Sequence, residues 1–189
     1  MRPVEGSIGD RTRCSTQTRG GWRTQSIMGP MPDRRFSATT MIGREPGVIF
    51  AWVADHRNVP RVLEGVSRWE PLGARDRGQG ARFKVAMRAL GVPLENVLVL
   101  DRWDEPREIG WRSESGLIAQ TGGWLFEAQP GGTRVTLTIC YRPPGGVVGG
   151  LLAGQVDSMV RGRLQASLER MKDIIESPPA PDTGAASAG

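Results

Sequence analysis

Residues Gly132 to Glu176 read GTRVTLTICYRPPGGVVGGLLAGQVDSMVRGRLQASLERMKDIIE, and this stretch decides the fold. In its first part Val135, Leu137, Ile139 and Tyr141 alternate with Arg134, Thr136, Thr138 and Cys140. That is the period-two pattern of a strand with one face on a core. Pro143-Pro144-Gly145-Gly146 then stops the strand, because proline has no N–H to give to a ladder. From about Val147 the period becomes helical. At about 100° per residue, Leu152, Val156, Val160, Leu164, Leu168, Met171, Ile174 and Ile175 share one broad arc. Arg161, Gln165, Glu169 and Lys172 fall largely opposite, and Arg163 and Ser167 lie within or at the edge of the apolar arc.

Upstream, short β-type runs alternate with turn residues. Phe36 to Ile42 is β-branched and aromatic and predicts a strand. Glu45-Pro46 opens a helix carrying Val48, Phe50, Trp52 and Val53, with proline in the first turn where its missing N–H costs little. Asp55 ends it or caps a second short helix over Asn58 to Glu64. Trp69 and Leu72 precede a turn at Gly78-Gln79-Gly80. Phe83, Val85 and Met87 then alternate with Arg82, Lys84 and Arg88; Leu94 to Trp103 is apolar on both faces, which leaves its orientation open. Ile109, Trp111 and Ser113 alternate with Glu108, Gly110 and Arg112, and Trp124 and Phe126 share a face. The order is strand, two short helices, six strands, one long helix. Tight glycine and proline turns between short strands imply an antiparallel meander.

The expected fold is α+β: a curved antiparallel sheet of six to seven strands wrapped around a long C-terminal helix. One helix does not fill a strongly curved sheet of that width, so the pairing predicts a cavity between them. The organisation expected is a disordered leader over 1–33, rich in Gly, Ser, Thr, Arg and Pro, one ligand-binding domain over 34–177, and a disordered Pro/Ala/Gly tail over 178–189. Met28, Met31 and Met41 are possible starts besides Met1.

The 189 residues suit a single domain, and 38% apolar residues suffice for one core. No apolar run reaches the ~18–20 residues of a membrane span, and no signal-type apolar block appears near the start. With only Cys14 and Cys140, a disulfide framework is not expected, and the cytoplasm is the expected compartment. His56 is the only histidine, and no Cys-x-x-Cys exists, so no metal site is expected. Gly-x-Ser-x-Gly, the Walker loop and Gly-x-Gly-x-x-Gly are missing as well, and no cofactor is expected. The net charge is +5, yet the basic residues are interleaved with acids, as in Asp101-Arg102-Trp103-Asp104-Glu105-Pro106-Arg107-Glu108. That pattern reads as solvated faces, not as a nucleic-acid footprint.

The chain resembles the START-like (SRPBCC) superfamily, nearest its polyketide cyclase/dehydrase and coenzyme-Q-binding-like branch. The resemblance rests on Arg44 to Asp55, Pro60 to Val66 with Trp69, Pro106 to Trp111, Trp124 to Phe126, Gly132 to Val135, Tyr141 to Gly149, and the helix ending in Leu168 to Glu176. It implies a helix-grip fold with a deep apolar cavity, binding a lipid, quinone, polyketide or similar molecule. Some members catalyse cyclisation or dehydration, so a polyketide cyclase or aromatase is the alternative expectation. Fold alone does not choose between them.

The helix-grip reading turns Phe83, Val85, Met87, Trp111, Trp124, Phe126, Leu137, Tyr141, Val156, Met159, Val160 and Arg163 toward the cavity or the core. Aromatic-lined, mostly apolar pockets with a few polar groups suit small hydrophobic ligands, and a cavity of at least ~300 Å3 is expected. Arg163 is expected to meet a ligand carbonyl or carboxylate, or else to snorkel to the mouth or pair with an acid such as Glu114. Tyr141 and Gln120 are further candidates for polarising a ligand carbonyl, Tyr141 as proton donor. Asp55-His56 reads either as an acid–base pair or as a helix cap beside a surface imidazole. The glycines of Gly145 to Gly154 read as close helix–sheet packing, with lipid-surface anchoring as the alternative. No nucleic acid and no stable membrane insertion are expected, and the oligomeric state is left open.

Overall fold

The computed structural model describes residues 34–89, 91–116, 118–142 and 147–177. The leader over 1–33, the tail over 178–189 and the Pro143–Gly146 break lie outside the described residues. So do the starts at Met1, Met28 and Met31. Seven strands form one antiparallel sheet: β1 (Arg34–Ile42), β2 (Val66–Pro71), β3 (Arg82–Ala89), β4 (Val92–Asp104), β5 (Glu108–Gly116), β6 (Gln120–Gln129) and β7 (Gly132–Tyr141). Two short helices, α1 (Pro46–Ala54) and α2 (Val59–Val62), follow β1, and α3 (Val147–Glu176) ends the fold. The spatial order is β1-β7-β6-β5-β4-β3-β2, so β2 to β7 form a meander and β1 returns to pair with the last strand. This is the helix-grip fold.

The alternating strands behave as their pattern dictates. Phe83, Val85, Ile109, Trp111, Trp124, Phe126, Val135 and Leu137 are all buried on the concave face. β4 is the exception, and it explains why its orientation is not readable from sequence. Its register against β5 shifts between Val97 and Leu98 and again between Leu100 and Arg102. The first leaves Glu114 of β5 as the extra residue; the second leaves Asp101 of β4 as the extra residue and changes which parity of β4 faces inward. Leu98, Val99 and Leu100 are consecutively buried, and Trp103 turns back to meet Phe50 edge-on at 5.1 Å.

The long helix is fastened to the sheet at both ends of its described length. Near its C-terminus Glu176 Oε1 accepts from the Gly43 N–H (2.7 Å), and Arg44 Nε donates to the Ile175 carbonyl. Nearer its start, Asp157 accepts from Tyr141 of β7 and Arg34 of β1. Between these, Leu164, Leu168 and Met171 are buried against the sheet. Met41 lies inside β1 opposite Arg134, so a chain begun there would lack most of that strand.

Candidate ligand cavity

The concave sheet and α3 do not meet everywhere. Between them lies a chamber walled by the α2–β2 turn (Leu63 to Val66), Met87, Trp111, Tyr141, and Val156, Met159, Val160, Arg163 and Leu164 of α3. Its volume is about 130 Å3, and it opens outward at its mouth. The enclosed part is therefore tighter than the ~300 Å3 expected of a pocket for drug-sized ligands. Bulky indoles and methionines occupy the room that the curvature of the sheet provides.

A second, smaller chamber lies deeper, toward α1, lined by Val53, Phe83, Leu100, Trp103, Ile109 and Trp124. Its volume is only about 20 Å3, room for little more than a single water-sized group. Trp69 and Trp111 line both chambers and stand edge to face with ring centroids 6.1 Å apart. They are the wall between the two. Trp111 holds its place because it lies over Gly122, its partner across the β5–β6 ladder. A Cβ on Gly122 would press on indole Cζ2 and lie 2.6 Å from Cε2.

The polar groups line the outer chamber. Gln120 and Tyr141 face each other across the β6–β7 ladder, and both line the outer chamber. The Gln120 N–H donates to Ser113 Oγ, but its side-chain amide makes no hydrogen bond among the described residues. The Tyr141 hydroxyl donates to Asp157 Oδ1 at 2.8 Å, and Arg34 Nη1 donates to Asp157 Oδ2 at 3.0 Å. Burial, followed by the bond and charge of Asp157, pushes the Tyr141 phenol well above its ordinary pKa. A phenol whose proton is committed to a carboxylate is a poor proton donor to a ligand, although its oxygen can still accept. Asp157, which is 7% exposed, carries no sequence signal beyond its position in the apolar arc.

Arg163 takes the mouth-side arrangement. Its Nη1 donates to the Arg88 carbonyl at 2.6 Å, and its guanidinium lies over Gly65, whose φ of +85° also disfavours a side chain. Glu114 is not its partner; that carboxylate pairs with Arg82. Six residues of helix separate Asp157 from Arg163, a rise of about 9 Å, so Arg163 does not converge with Tyr141 through that network. Ser167, a further polar residue of the apolar arc, donates to the Arg163 carbonyl at 2.6 Å and accepts the Glu64 N–H, pinning the α2–β2 turn to α3.

The remaining candidates fall elsewhere. Phe83 and Trp124 line the inner chamber, while Val85, Phe126 and Leu137 pack in the core without lining either. Asp55 spends its carboxylate on the Arg57 N–H and guanidinium, and that bonding lowers its pKa to about 2. It is a cap, not a partner for His56, whose ring leans on Phe83 at 5.9 Å. Of Gly145 to Gly154, the first two residues lie outside the described ones, and Gly154 has nothing within 4 Å of its Cβ position. Close packing is therefore not what Gly154 provides. Among the described residues no cluster of His, Cys, Asp and Glu is arranged to hold a metal ion, and no helix is long and apolar enough to cross a membrane.

A curved sheet gripping a helix around an apolar chamber defines the START-like class. Within it, the chain belongs to the polyketide cyclase/dehydrase and lipid transport family, whose model matches residues 33–176. No curated protein matches the sequence. Solved structures agree on the fold. The Thermus thermophilus protein TTHA0849 shares 22% identity at a TM-score of 0.65, over 76% of this chain and 97% of that one. The ZhuI aromatase/cyclase of Streptomyces sp. R1128 shares 20% at 0.53, over 77% and 89%. A START superfamily protein of Mycobacterium smegmatis shares 15% at 0.54, over 72% and 98%.

Proposed function

We propose that the protein binds a slender hydrophobic molecule, of the lipid, quinone or polyketide-like kind, in the outer chamber, and does so in the cytoplasm. The observation that carries this reading is the unspent Gln120 carboxamide in a mainly apolar chamber. The half-buried amide still reaches water, and a ligand polar group that pairs with it replaces that water as the ligand closes the chamber. Its N–H groups suit a carbonyl or hydroxyl oxygen. Its own oxygen and that of Tyr141 suit a ligand hydroxyl. The apolar body then extends inward toward the tryptophans, each buried methylene contributing about 0.8 kcal/mol.

The cyclase reading draws less support. Of its three candidate groups, Tyr141 has committed its proton and Arg163 is bonded at the mouth, which leaves Gln120 alone to polarise a carbonyl.

Native mass spectrometry of the purified chain, with organic extraction and displacement of an environment-sensitive naphthalene dye by long-chain alcohols and quinones, tests the reading. Binding is expected at micromolar concentrations. Gln120→Leu should weaken an alcohol about five- to tenfold while leaving the matching alkane unchanged, and Val160→Trp should abolish binding in a folded protein. Absence of any bound or displacing molecule overturns it.

A further inference from the structure

Trp69 and Trp111 belong to both chambers, and nothing else among the described residues separates the space toward α3 from the space toward α1 as directly as this edge-to-face pair. Gln120, Tyr141 and Arg163, with Glu64, Arg88 and Ser167, line the outer chamber, and none of them lines the inner one. The inner chamber is walled by aromatic and aliphatic groups, with His56 as its polar member. A ligand whose polar end stays with Gln120 therefore enters tail first and meets the indoles. We infer that the Trp69–Trp111 pair is the stop that sets how long an apolar tail the protein accepts, with only a small apolar gap behind it. The inference rests on the binding reading given above and adds the determinant of specificity.

Two features make the stop firm. Trp111 is held on one face by Gly122, where only a residue without a side chain leaves it room. Trp69 is held by Phe83, whose ring centroid lies 5.8 Å away. Both indoles are nearly completely buried. They therefore have little freedom to turn aside, in contrast to methionines such as Met87 and Met159 on the outer side, which adapt to the shape of a guest.

The test is a chain-length series. Straight-chain primary alcohols displace the naphthalene dye from the full-length protein, and affinity is read against carbon number. Each methylene accommodated should gain about fourfold, the equilibrium equivalent of its burial, until the tail reaches the indoles and the gain stops. Trp111→Ala and Trp69→Ala should move that break to chains at least about two carbons longer. Trp111→Phe and Trp69→Phe serve where the alanine variants do not fold, and should move it by a smaller step in the same direction. Val135→Ala, a core truncation that lines neither chamber, controls for loosening and should leave the break where it is. A break that stays put in folded tryptophan variants, or that moves equally in Val135→Ala, overturns the stop while leaving cavity binding intact. Failure of every alcohol to displace the dye from the unaltered protein overturns both.

Discussion

Tyr141 and Asp157 join the last strand to the long helix through one buried hydrogen bond, the phenol donating to Oδ1 at 2.8 Å. Arg34 of β1 takes the other carboxylate oxygen, so three elements meet at a single side chain. Beside them Phe36 stacks on Tyr141 with centroids 6.1 Å apart, and the Arg161 guanidinium sits over Phe36 at 5.2 Å. This network ties α3 to β1 and β7 beside the outer chamber.

Removing one member should cost more than the bond itself is worth. Tyr141→Phe leaves Asp157 Oδ1 buried without a donor, and a loss of about 1–3 kcal/mol in denaturant unfolding is expected. Asp157→Ala should cost a similar amount, and the double variant should cost less than the sum because the two groups share one interaction. Strict additivity would show that the bond contributes nothing to holding the helix.

The same bond makes an alkaline prediction. The folded pKa of Tyr141 is raised above the ordinary 10.0 by burial and by Asp157, so the folded state keeps the proton that the unfolded chain releases. Stability is then fully present below pH 10 and falls as pH rises beyond it. Tyr141 is the only tyrosine, so phenolate absorbance reports this one group. It should appear only together with unfolding, and Tyr141→Phe should flatten the alkaline decline. A phenolate signal near the ordinary value of 10.0 in folded protein would contradict the buried bond.

Gly122→Ala should destabilise by about 1–3 kcal/mol, the usual cost of forcing atoms into a packed site. The added methyl displaces the Trp111 indole and approaches the Thr138 carbonyl at 3.0 Å. A changed tryptophan emission should accompany the loss. Gly47→Ala, with open space at its Cβ position, is the control expected to be neutral or mildly stabilising.

Acid titration should expose the cap at the end of α1. Hydrogen bonding to Arg57 lowers the Asp55 pKa from 3.8 to about 2, so its contribution is present above 3.8 and is lost as pH falls through about 2. Arg57 is largely exposed, which keeps the effect small and salt-sensitive. Urea unfolding of Asp55→Asn should lie below that of the unaltered protein at neutral pH and converge with it in strong acid. A gap that persists at the lowest pH would assign the effect to something other than ionisation.

The two periodicities flanking Pro143 are enough to read a strand, a break and a thirty-residue helix from Val147 to Glu176. The order of the shorter elements does the rest, because antiparallel neighbours joined by tight turns leave few alternatives. Gln120 and Tyr141 are readable as inward-facing by parity alone. Two things are not. The orientation of Leu94 to Trp103 is hidden by the bulge at Asp101, which local sequence does not announce. The partners of Arg163, Tyr141 and Asp157 are hidden because pairing depends on groups distant along the chain.

By itself, then, the order of residues determined the elements, the inward faces of every strand but β4, and the expectation of a hollow, since backbone geometry ties side-chain direction to position along a strand or helix. Only the tertiary structure decided how large the hollow is, that Trp69 and Trp111 divide it, and that Asp157 claims the Tyr141 proton. Those outcomes depend on side chains from β2, β5, β7 and α3 reaching one place, and distances across a fold are not written in any local pattern.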